Sequence, residues 1–265
     1  MCGRCAGPSR RWMLGGLVAG LGSAAGLAGC SENAATGRRQ LVLVDDSQLS
    51  GMADQAWAEV TAQVKPVADP VAHARLARIG APLVKASGRD DLDWSFTVLD
   101  SPELNAFVLP NGRVGFFRGL LELAQGDDEV ASVLGHEIGH VVARHAAERL
   151  SQELAVQAGV SIAQMVLSDQ AGEHTDEIGA ALGMGAIYGV ILPYSRKHEL
   201  EADRVGVDLM RTAGLDPAAA VRFWERMVAR GGDAQKPPEV VSTHPADARR
   251  LEELKAAVEG AAVAG

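Results

Sequence analysis

The stretch VLGHEIGHVVARH, residues 133–145, holds three histidines and one glutamate within ten residues. His136, Glu137 and His140 form the pattern H-E-x-x-H, in which two histidines one helical turn apart can share a zinc ion. The other residues of the stretch are mostly apolar, and ionisable groups that are buried among apolar residues need a partner. A metal ion meets that need, and a solvated polar helix face, the simpler alternative, does not fit the apolar neighbours.

The third histidine of the stretch, His145, is expected to be structural. Each residue of an α-helix advances by about 100°. In one helix running to about residue 150, His140 therefore lies about 40° from His136, and His145 lies on the opposite side. The longer metal pattern H-E-x-x-H-x-x-G-x-x-H would place its third histidine at position 146, which is Ala146.

A hydrolytic zinc site needs three protein ligands and one open position, so a further ligand must come from elsewhere in the chain. The segment HELEADRVG, residues 198–206, carries Glu199 and Asp203 four residues apart, on one helical face. We expect Glu199 to bind the metal and Asp203 to hold a zinc histidine through its second ring nitrogen, while Glu201 points elsewhere. Glu137 flanks the metal face and suits a general base. The alternative for Glu199 and Asp203 is a solvated face that pairs with arginines of the same helix.

The first 29 residues predict an export signal. SRRWML, residues 9–14, places two arginines before a glycine-rich apolar run, and it resembles a twin-arginine signal, although the Sec route stays open. LAGC, residues 27–30, resembles a lipoprotein processing box, which implies cleavage before Cys30 and lipidation of its thiol. Ser31 favours the outer membrane by analogy with bacterial lipoprotein sorting. The alternative is an uncleaved membrane anchor.

Three regions follow from this interpretation: an export signal over 1–29, a lipidated cysteine and tether over 30–45, and one domain over 46–265. The tether contains SENAATGRRQ, residues 31–40, for which small and polar residues predict an extended linker. Cys2 and Cys5 would leave with the signal, although such a pair could bind metal or act in redox chemistry. The net charge of −9 gives no electrostatic support to nucleic-acid binding.

Hydrophobic periodicity predicts a mostly helical α+β domain with a small sheet that offers an edge strand. A turn is expected at Pro110-Asn111-Gly112, and Pro193 is expected to end a helix. The uncharged run 178–192 favours a buried or surface-docked helix over a membrane span. The predicted elements are strands at 41–44, 94–100 and on both sides of the turn within 105–117, and helices at 46–65 (capped by Asp46), 70–87 (capped by Asp69), from Asp127 or Asp128 to about 150, 153–167, 175–192, 196–213, after Asp216-Pro217, and 246–258.

HEIGH, followed some sixty residues later by YSRKHELEAD, resembles the gluzincin-type metallopeptidases of the HtpX and CAAX-prenyl-protease family. Within that family the chain is most similar to the periplasmic lipoproteins of the BepA and LoiP type. The similarity runs from TGRRQLVLV through NAFVLPNG and ELEADRVG to STHPADARRL. It implies a zincin-like domain with one Zn²⁺ per chain. The implied roles are zinc ligands for His136, His140 and Glu199, general base for Glu137, and support of a ligand for Asp203.

The same resemblance implies a role for His244, in STHP, and for Arg250, six residues later. In BepA-like members the corresponding histidine can occupy the fourth position of the zinc and keep the enzyme quiescent. Carried over, His244 would be a switch, and His244 or Arg250 would stabilise the oxyanion of the reaction. Without the resemblance, a loop histidine before a proline is more often only a turn residue.

The expected function is a zinc endopeptidase that cleaves unfolded or misassembled envelope proteins, attached to the periplasmic side of the outer membrane by the lipid on Cys30. An extended substrate would pair with an edge strand at Asn105, Ala106 and Phe107. Helices between 153 and 192 would form a lid or a membrane-facing surface. One alternative is a chaperone-like outer-membrane assembly factor whose zinc is capped by His244 and mostly inactive. Another is a structural lipoprotein without metal.

Overall fold

The computed structural model describes residues 30–171, 192–231 and 248–260. The mostly helical α+β architecture that the sequence predicts is confirmed. The strands are β1 (Cys30–Glu32), β2 (Arg39–Leu41), β3 (Ser95–Leu99), β4 (Ala106–Val108) and β5 (Arg113–Phe117). The helices are α1 (Asp46–Gln63), α2 (Pro70–Ser87), α3 (Arg118–Leu123), α4 (Asp127–Val142), α5 (His145–Ala171), α6 (Leu192–Thr212), α7 (Ala218–Gly231) and α8 (Ala248–Glu259).

Three strands form a small mixed sheet in the order β3-β5-β4, with β3 parallel and β4 antiparallel to β5. The predicted turn joins β4 to β5, and the N–H of Gly112 donates to the carbonyl of Leu109 over 2.9 Å. Gly112 has a φ of +87°, a conformation that glycine adopts without a steric penalty. In the described part of the chain β4 therefore lies at a sheet edge, as expected.

Helix α4 crosses the centre of the molecule and packs against α2, α6, α7 and the sheet. Its apolar side chains are excluded from water and meet large side chains from each of these neighbours. Burial of this apolar surface is the main stabilising contribution to the fold. The fully or nearly fully buried core residues include Leu76, Leu83, Phe116, Val130, Leu134, Ile138, Met210 and Phe223.

Helices α4 and α6 approach each other closely because small residues face one another at their crossing. A Cβ atom added to Gly139 would lie 2.8 Å from the carbonyl oxygen of Ala202, a distance that backbone atoms do not tolerate. Gly206 similarly contacts the backbone of Gly135. The close crossing brings the H-E-x-x-H face of α4 opposite the carboxylates of α6.

The predicted extended linker at 31–40 is wrong, because this segment folds into an antiparallel hairpin, β1–β2, with Ser31 opposite Gln40. The side chains of Asn33 and Gln40 are 5% and 2% exposed. The Asn33 amide donates to the carbonyl of Val142 over 3.1 Å, and the Gln40 amide donates to that of Ala143. The carbonyls at the end of α4 take the place of water as hydrogen-bond partners of the two amides. A polar segment can therefore pack against the domain.

The prediction of one helix from Asp127 or Asp128 to about residue 150 is also wrong. Helix α4 ends at Val142, and α5 begins at His145 after Arg144, whose φ is +56°. At the other end the N-cap residue is Gly126, which has no side chain to cap the helix. The side chain of Asp127 instead accepts hydrogen bonds from two arginines of α2.

Other boundaries differ by a few residues. Asp45, not Asp46, caps α1, because its carboxylate accepts the N–H of Gln48 over 2.8 Å. Asp69 caps α2 as predicted. Strand β2 ends at Leu41, where the predicted strand was to begin. Pro193 lies in the first turn of α6, where its missing N–H costs nothing.

Several predictions fall on residues outside the described ranges. These are the export signal at 1–29, the helix at 175–192 apart from Leu192, and the loop that carries His244. Among the helices that the structure describes, none combines the length and the apolar character that a membrane span requires.

Candidate metal centre

Three side chains converge where α4 and α6 cross. The Nε2 atoms of His136 and His140 are 3.0 Å apart. The first lies 3.4 Å from Oε2 of Glu199 and the second lies 3.4 Å from Oε1. Within the described residues, this is the one group of three histidine, cysteine or acidic side chains whose donor atoms could hold a metal ion. Glu199 is buried, and the histidine side chains are 11% and 16% exposed.

The spacing of these donor atoms fits a zinc ion. Protein nitrogen and oxygen ligands bind zinc at about 2.0–2.1 Å in a tetrahedral arrangement, which separates the ligand atoms by roughly 3.3 Å. The 3.0 Å between the two imidazole nitrogens, and the 3.4 Å from each of them to one or the other oxygen of Glu199, are close to that value. Two imidazoles and one carboxylate also form a donor set typical of catalytic zinc.

His136 is held from behind by a buried ion-pair cluster. Its Nδ1 atom lies 2.7 Å from the Asp203 carboxylate, so Nδ1–H donates and Nε2 is left for the metal. Arg250 donates to both oxygens of Asp203 over 2.7 and 2.9 Å. A third nitrogen of Arg250 lies 2.8 Å from Glu199, so one guanidinium connects two carboxylates of α6.

The electrostatics around His136 favour a positive charge there. Burial by itself lowers the pKa of the imidazole, but the charge and hydrogen bond of Asp203 outweigh burial and raise the pKa to about 10. Burial opposes ionisation of Asp203 too, yet Arg250 and His136 keep the pKa of its carboxyl below the ordinary value. The carboxylates of Asp203 and Glu199 therefore favour a positive charge at His136.

His140 is supported by a different chain of groups. Its Nδ1 atom lies 2.8 Å from Nδ1 of His145, and Nε2 of His145 lies 2.9 Å from the Glu201 carboxylate. Burial lowers the pKa of His145, which favours the neutral ring. If Nε2–H of His145 donates to Glu201, Nδ1 of His145 is an acceptor and Nδ1–H of His140 donates to it. Nε2 of His140 then faces the metal position.

The structure therefore corrects the orientation that the sequence predicted for His145. It lies outside the group of three donor residues, but it points toward His140 instead of away from it, because the chain turns at Arg144. Ala143 and Arg144 are good helix formers, so no local signal marks the end of α4. Glu201 does point away from the metal position, as expected, and the supporting role of Glu201 and His145 is what sequence reasoning missed.

Glu137 lies on the wall of a cavity of about 660 Å³ together with His140 and Glu199. Its side chain is only 3% exposed. The cavity continues toward α1 and toward the β4–β5 turn, where Phe107, Val108 and other residues of these elements line it. A carboxylate at this place can accept and return a proton inside the cleft.

The edge strand offers its backbone at positions that differ slightly from those predicted. The carbonyl of Asn105 accepts the N–H of Phe117, and the N–H of Leu109 donates to Arg113, so alternate residues of β4 point toward β5. By the antiparallel pattern, the backbone groups of Ala106 and Val108 point toward the free edge. Asn105 therefore directs its carbonyl to β5 and not to a substrate, whereas Val108 both faces the edge and lines the cavity; Ala106 faces the same edge but is buried.

Phe107, the third residue assigned to substrate binding, contributes its side chain rather than its backbone. Its ring packs near Trp57 and Phe117, with ring centroids 6.1 and 6.2 Å away, and it lines the cavity. An apolar wall of this kind can contact a substrate side chain beside the edge strand.

Arg250 lies behind the metal ligands and does not line the cavity. It is 4% exposed, its guanidinium stacks 4.3 Å from the ring of Trp224, and its nitrogens pair with Asp203 and Glu199. This placement favours a role in holding two carboxylates, and the predicted contact with an oxyanion stays a prediction. His244, the other residue expected to stabilise the oxyanion, lies outside the described residues.

The profile of Peptidase family M48 matches residues 70–258. The mitochondrial metalloendopeptidase OMA1 of Schizosaccharomyces pombe is 35% identical over 92% of this chain and 71% of its own length. The human mitochondrial metalloendopeptidase OMA1 is 32% identical over 83% of this chain. The beta-barrel assembly-enhancing protease of Escherichia coli is 28% identical over 71% of it. The chain spans 44% of the human relative and 39% of the bacterial one.

Proposed function

The chain belongs to peptidase family M48, and from this membership we propose that it is a zinc-dependent endopeptidase that cleaves unfolded or misassembled proteins in the bacterial cell envelope. Metallopeptidase activity follows from the family, and the resemblance noted in the sequence is confirmed. The choice of zinc, the substrate class and the location are the proposed parts. The observation that carries them is a largely buried His-His-Glu group beside Glu137, at a cleft bordered by β4, which is an edge strand among the described residues.

The metal and the protein side chains supply different parts of the chemistry of peptide hydrolysis. When bound by His136, His140 and Glu199, a zinc ion supplies Lewis acidity, which polarises a peptide carbonyl and makes water more acidic. Glu137 takes the proton of the attacking water and returns it to the leaving amine. Asp203 fixes the ring of His136 while Arg250 holds Asp203 in place.

An extended polypeptide fits the cleft best. The outward N–H and C=O groups of Val108, which lines the cleft, can pair with a substrate added as a further strand. Only a chain segment without its own fold can offer both its backbone and its side chains in this way. Unfolded or misassembled proteins contain such segments. The bacterial relatives described as beta-barrel assembly-enhancing proteases agree with a role in the envelope.

The envelope location depends on the N-terminus. Relatives include both mitochondrial and bacterial proteins, so this part of the proposal is supported by the export signal and by the lipoprotein box that ends at Cys30. Cys30 is exposed at the start of β1, where a lipid could extend from the domain. Fractionation of cells that express the wild type and Cys30→Ser tests it: the variant should leave the membrane fraction. Equal membrane association of the two proteins would contradict the lipid attachment.

Casein, an unfolded protein, is a suitable substrate for the activity test. The zinc-loaded wild type should cleave it, and removal of the metal with a chelator should abolish cleavage until zinc is returned. Glu137→Gln should bind the same amount of zinc but cleave about 10²–10⁴ times more slowly, because it cannot accept a proton. If Glu137→Gln cleaves casein as fast as the wild type, the proposed mechanism is wrong.

A further inference from the structure

The β1–β2 hairpin is attached to the metal-binding core by a set of buried polar contacts. Its side chains Asn33 and Gln40 cap the carbonyls of Val142 and Ala143, directly after the turn of α4 that carries His140. Helix α4 therefore ends against the hairpin rather than against solvent. A hairpin whose only role was to connect the domain to its N-terminus would not need these contacts.

Arg38 extends the attachment into the interior. Its guanidinium forms two hydrogen bonds with Glu148 of α5, of 2.8 and 2.5 Å, and its Nε atom donates to Glu201 of α6 over 3.0 and 3.2 Å. One planar group thus fixes two carboxylates from two helices, a geometry that the forked guanidinium allows and a lysine does not.

The two carboxylates in turn hold a pair of stacked histidines. Glu201 accepts from His145, and Glu148 lies 3.0 Å from Nε2 of His198. The rings of His145 and His198 stack with centroids 4.2 Å apart and planes 18° from parallel. Most of this cluster is buried, since Glu148, His145 and His198 are each no more than 5% exposed.

The cluster ends on a metal ligand. Nδ1 of His145 lies 2.8 Å from Nδ1 of His140, which is the His140 ring nitrogen that does not face the metal position. We infer that the β1–β2 hairpin is a positioning element of the metal centre, in which Arg38 holds the His140 ring in place through Glu201 and His145. The inference rests on the proposed metal site and assigns no contact with substrate to the hairpin.

Zinc affinity of the full-length protein, measured by competition with a chelator, tests this assignment. His145→Ala should weaken zinc binding about tenfold, since groups that orient a ligand histidine typically contribute that much or more. Arg38→Ala should weaken it several-fold, and Arg38→Lys should restore only part of the loss. Arg39→Ala is the matched control, because Arg39 is the exposed neighbour on the same hairpin, and it should leave the affinity unchanged.

The double variant Arg38→Ala/His145→Ala decides whether Arg38 acts through His145. If it does, the double variant binds zinc no more weakly than His145→Ala alone. Full additivity of the two losses would overturn the inference. So would an Arg38→Ala protein whose metal-free form unfolds at lower urea concentration while its zinc affinity equals that of the wild type, since that is the behaviour of a merely structural residue.

Three further outcomes are distinguishable. If Arg38→Ala does not fold, Arg38→Lys replaces it, and wild-type zinc affinity in a folded Arg38→Lys protein overturns the inference. If the wild type itself binds no zinc, the proposed function fails and the inference fails with it. If the wild type binds zinc and Arg38→Ala binds it equally well, only the inference fails.

Discussion

The two histidines of the H-E-x-x-H motif are one helical turn apart, yet different parts of the chain support them. His136 is backed directly by a carboxylate, Asp203, and by Arg250 from the C-terminal helix α8. His140 is backed by another histidine, His145, and then by Glu201 and the N-terminal hairpin. The ion pairs behind His136 are nearly inaccessible to water, whereas the Arg38 side chain behind His140 is 33% exposed.

The difference indicates that the groups behind His136 (the His136 side) and those behind His140 (the His140 side) support their histidines in different ways. Behind His136, a buried charge next to the ring raises its affinity for a cation. Behind His140, the immediate neighbour is neutral, and the charged groups are farther away and more hydrated, so their main effect is on ring position. Changes on the His136 side should therefore cost more than changes on the His140 side.

The largest effect is expected for Arg250→Ala. The substitution leaves two buried carboxylates, Asp203 and Glu199, without their shared partner, and loss of one member of a buried ion pair costs about 3–5 kcal/mol. Urea unfolding of the metal-free protein measures the loss. The exposed neighbour Arg249 provides the control, and Arg249→Ala should change the free energy of unfolding by less than about 0.5 kcal/mol. Similar values for both variants would show that the Arg250 cluster does not stabilise the fold.

A second prediction compares the two supporting groups directly. Asp203→Asn should weaken zinc binding about 100-fold, because an amide removes the charge next to His136, whereas His145→Ala should weaken it only about tenfold. Chelator competition gives both dissociation constants under the same conditions. Equal losses would mean that the directly placed charge has no special effect, and the proposed contrast between the sides would be wrong.

A smaller effect, with a defined pH dependence, is expected for Glu148→Gln. Burial opposes ionisation of Glu148, but Arg38 and His198 outweigh it and lower its pKa to about 2. Because the folded-state pKa lies below the unfolded value of about 4.5, the carboxylate stabilises the fold above pH 4.5, and this contribution is lost as the pH falls toward 2. The difference from the wild type should be about 2 kcal/mol at pH 7, since the partly hydrated Arg38 limits it.

Urea unfolding of the metal-free protein at pH 7, 5 and 3 tests the dependence, and the difference should shrink only between the last two values. Glu59→Gln, an exposed position on α1, is the control and should show no comparable pH dependence. A difference for Glu148→Gln that stays constant down to pH 3 would contradict the assigned ion pairs.

The smallest effect is expected for Gly139→Ala, at the helix crossing that both sides share. Alanine gains up to about 1 kcal/mol over glycine in a helix, but its methyl group would lie 2.8 Å from the Ala202 carbonyl, and overpacking of this kind costs about 1–3 kcal/mol. The net loss of stability should be about 1 kcal/mol, with weaker zinc binding because α6 carries Glu199. Gly159→Ala, at a position with open space on α5, should not be destabilising.

The parts of the site that follow from helix periodicity could be predicted from the sequence. The spacings of His136 and His140 on one helix, and of Glu199 and Asp203 on another, place each pair on one face regardless of the rest of the fold. The structure brings the first three within 4.8 Å of one another and Asp203 against His136. The turn at residues 110–112 and the cap at Asp69 were equally local and equally predictable.

The predictions for His145 and for residues 31–40 are wrong because they rest on local sequence, whereas contacts between distant residues determine the structure at both places. Nothing in the sequence between His140 and His145 marks a helix end, so the sequence predicts His145 on the far side of α4. In the structure the chain turns at Arg144, and the side chains of Asn33 and Gln40 donate to the carbonyls of Val142 and Ala143. The same two polar residues made 31–40 resemble a linker. Their partners lie more than a hundred residues away in sequence, so no local pattern could reveal them.

The residue pattern is enough to identify which side chains can bind a metal, which can accept a proton, and which family they match. Apart from the contact between Asp203 and His136, the support of these groups becomes visible only in the folded molecule. The fold joins Arg250 to Asp203 and Glu199, and Arg38 to Glu148 and Glu201. Helix periodicity is set by the backbone, whereas the position of a buried charge depends on the distant partner that compensates for its desolvation.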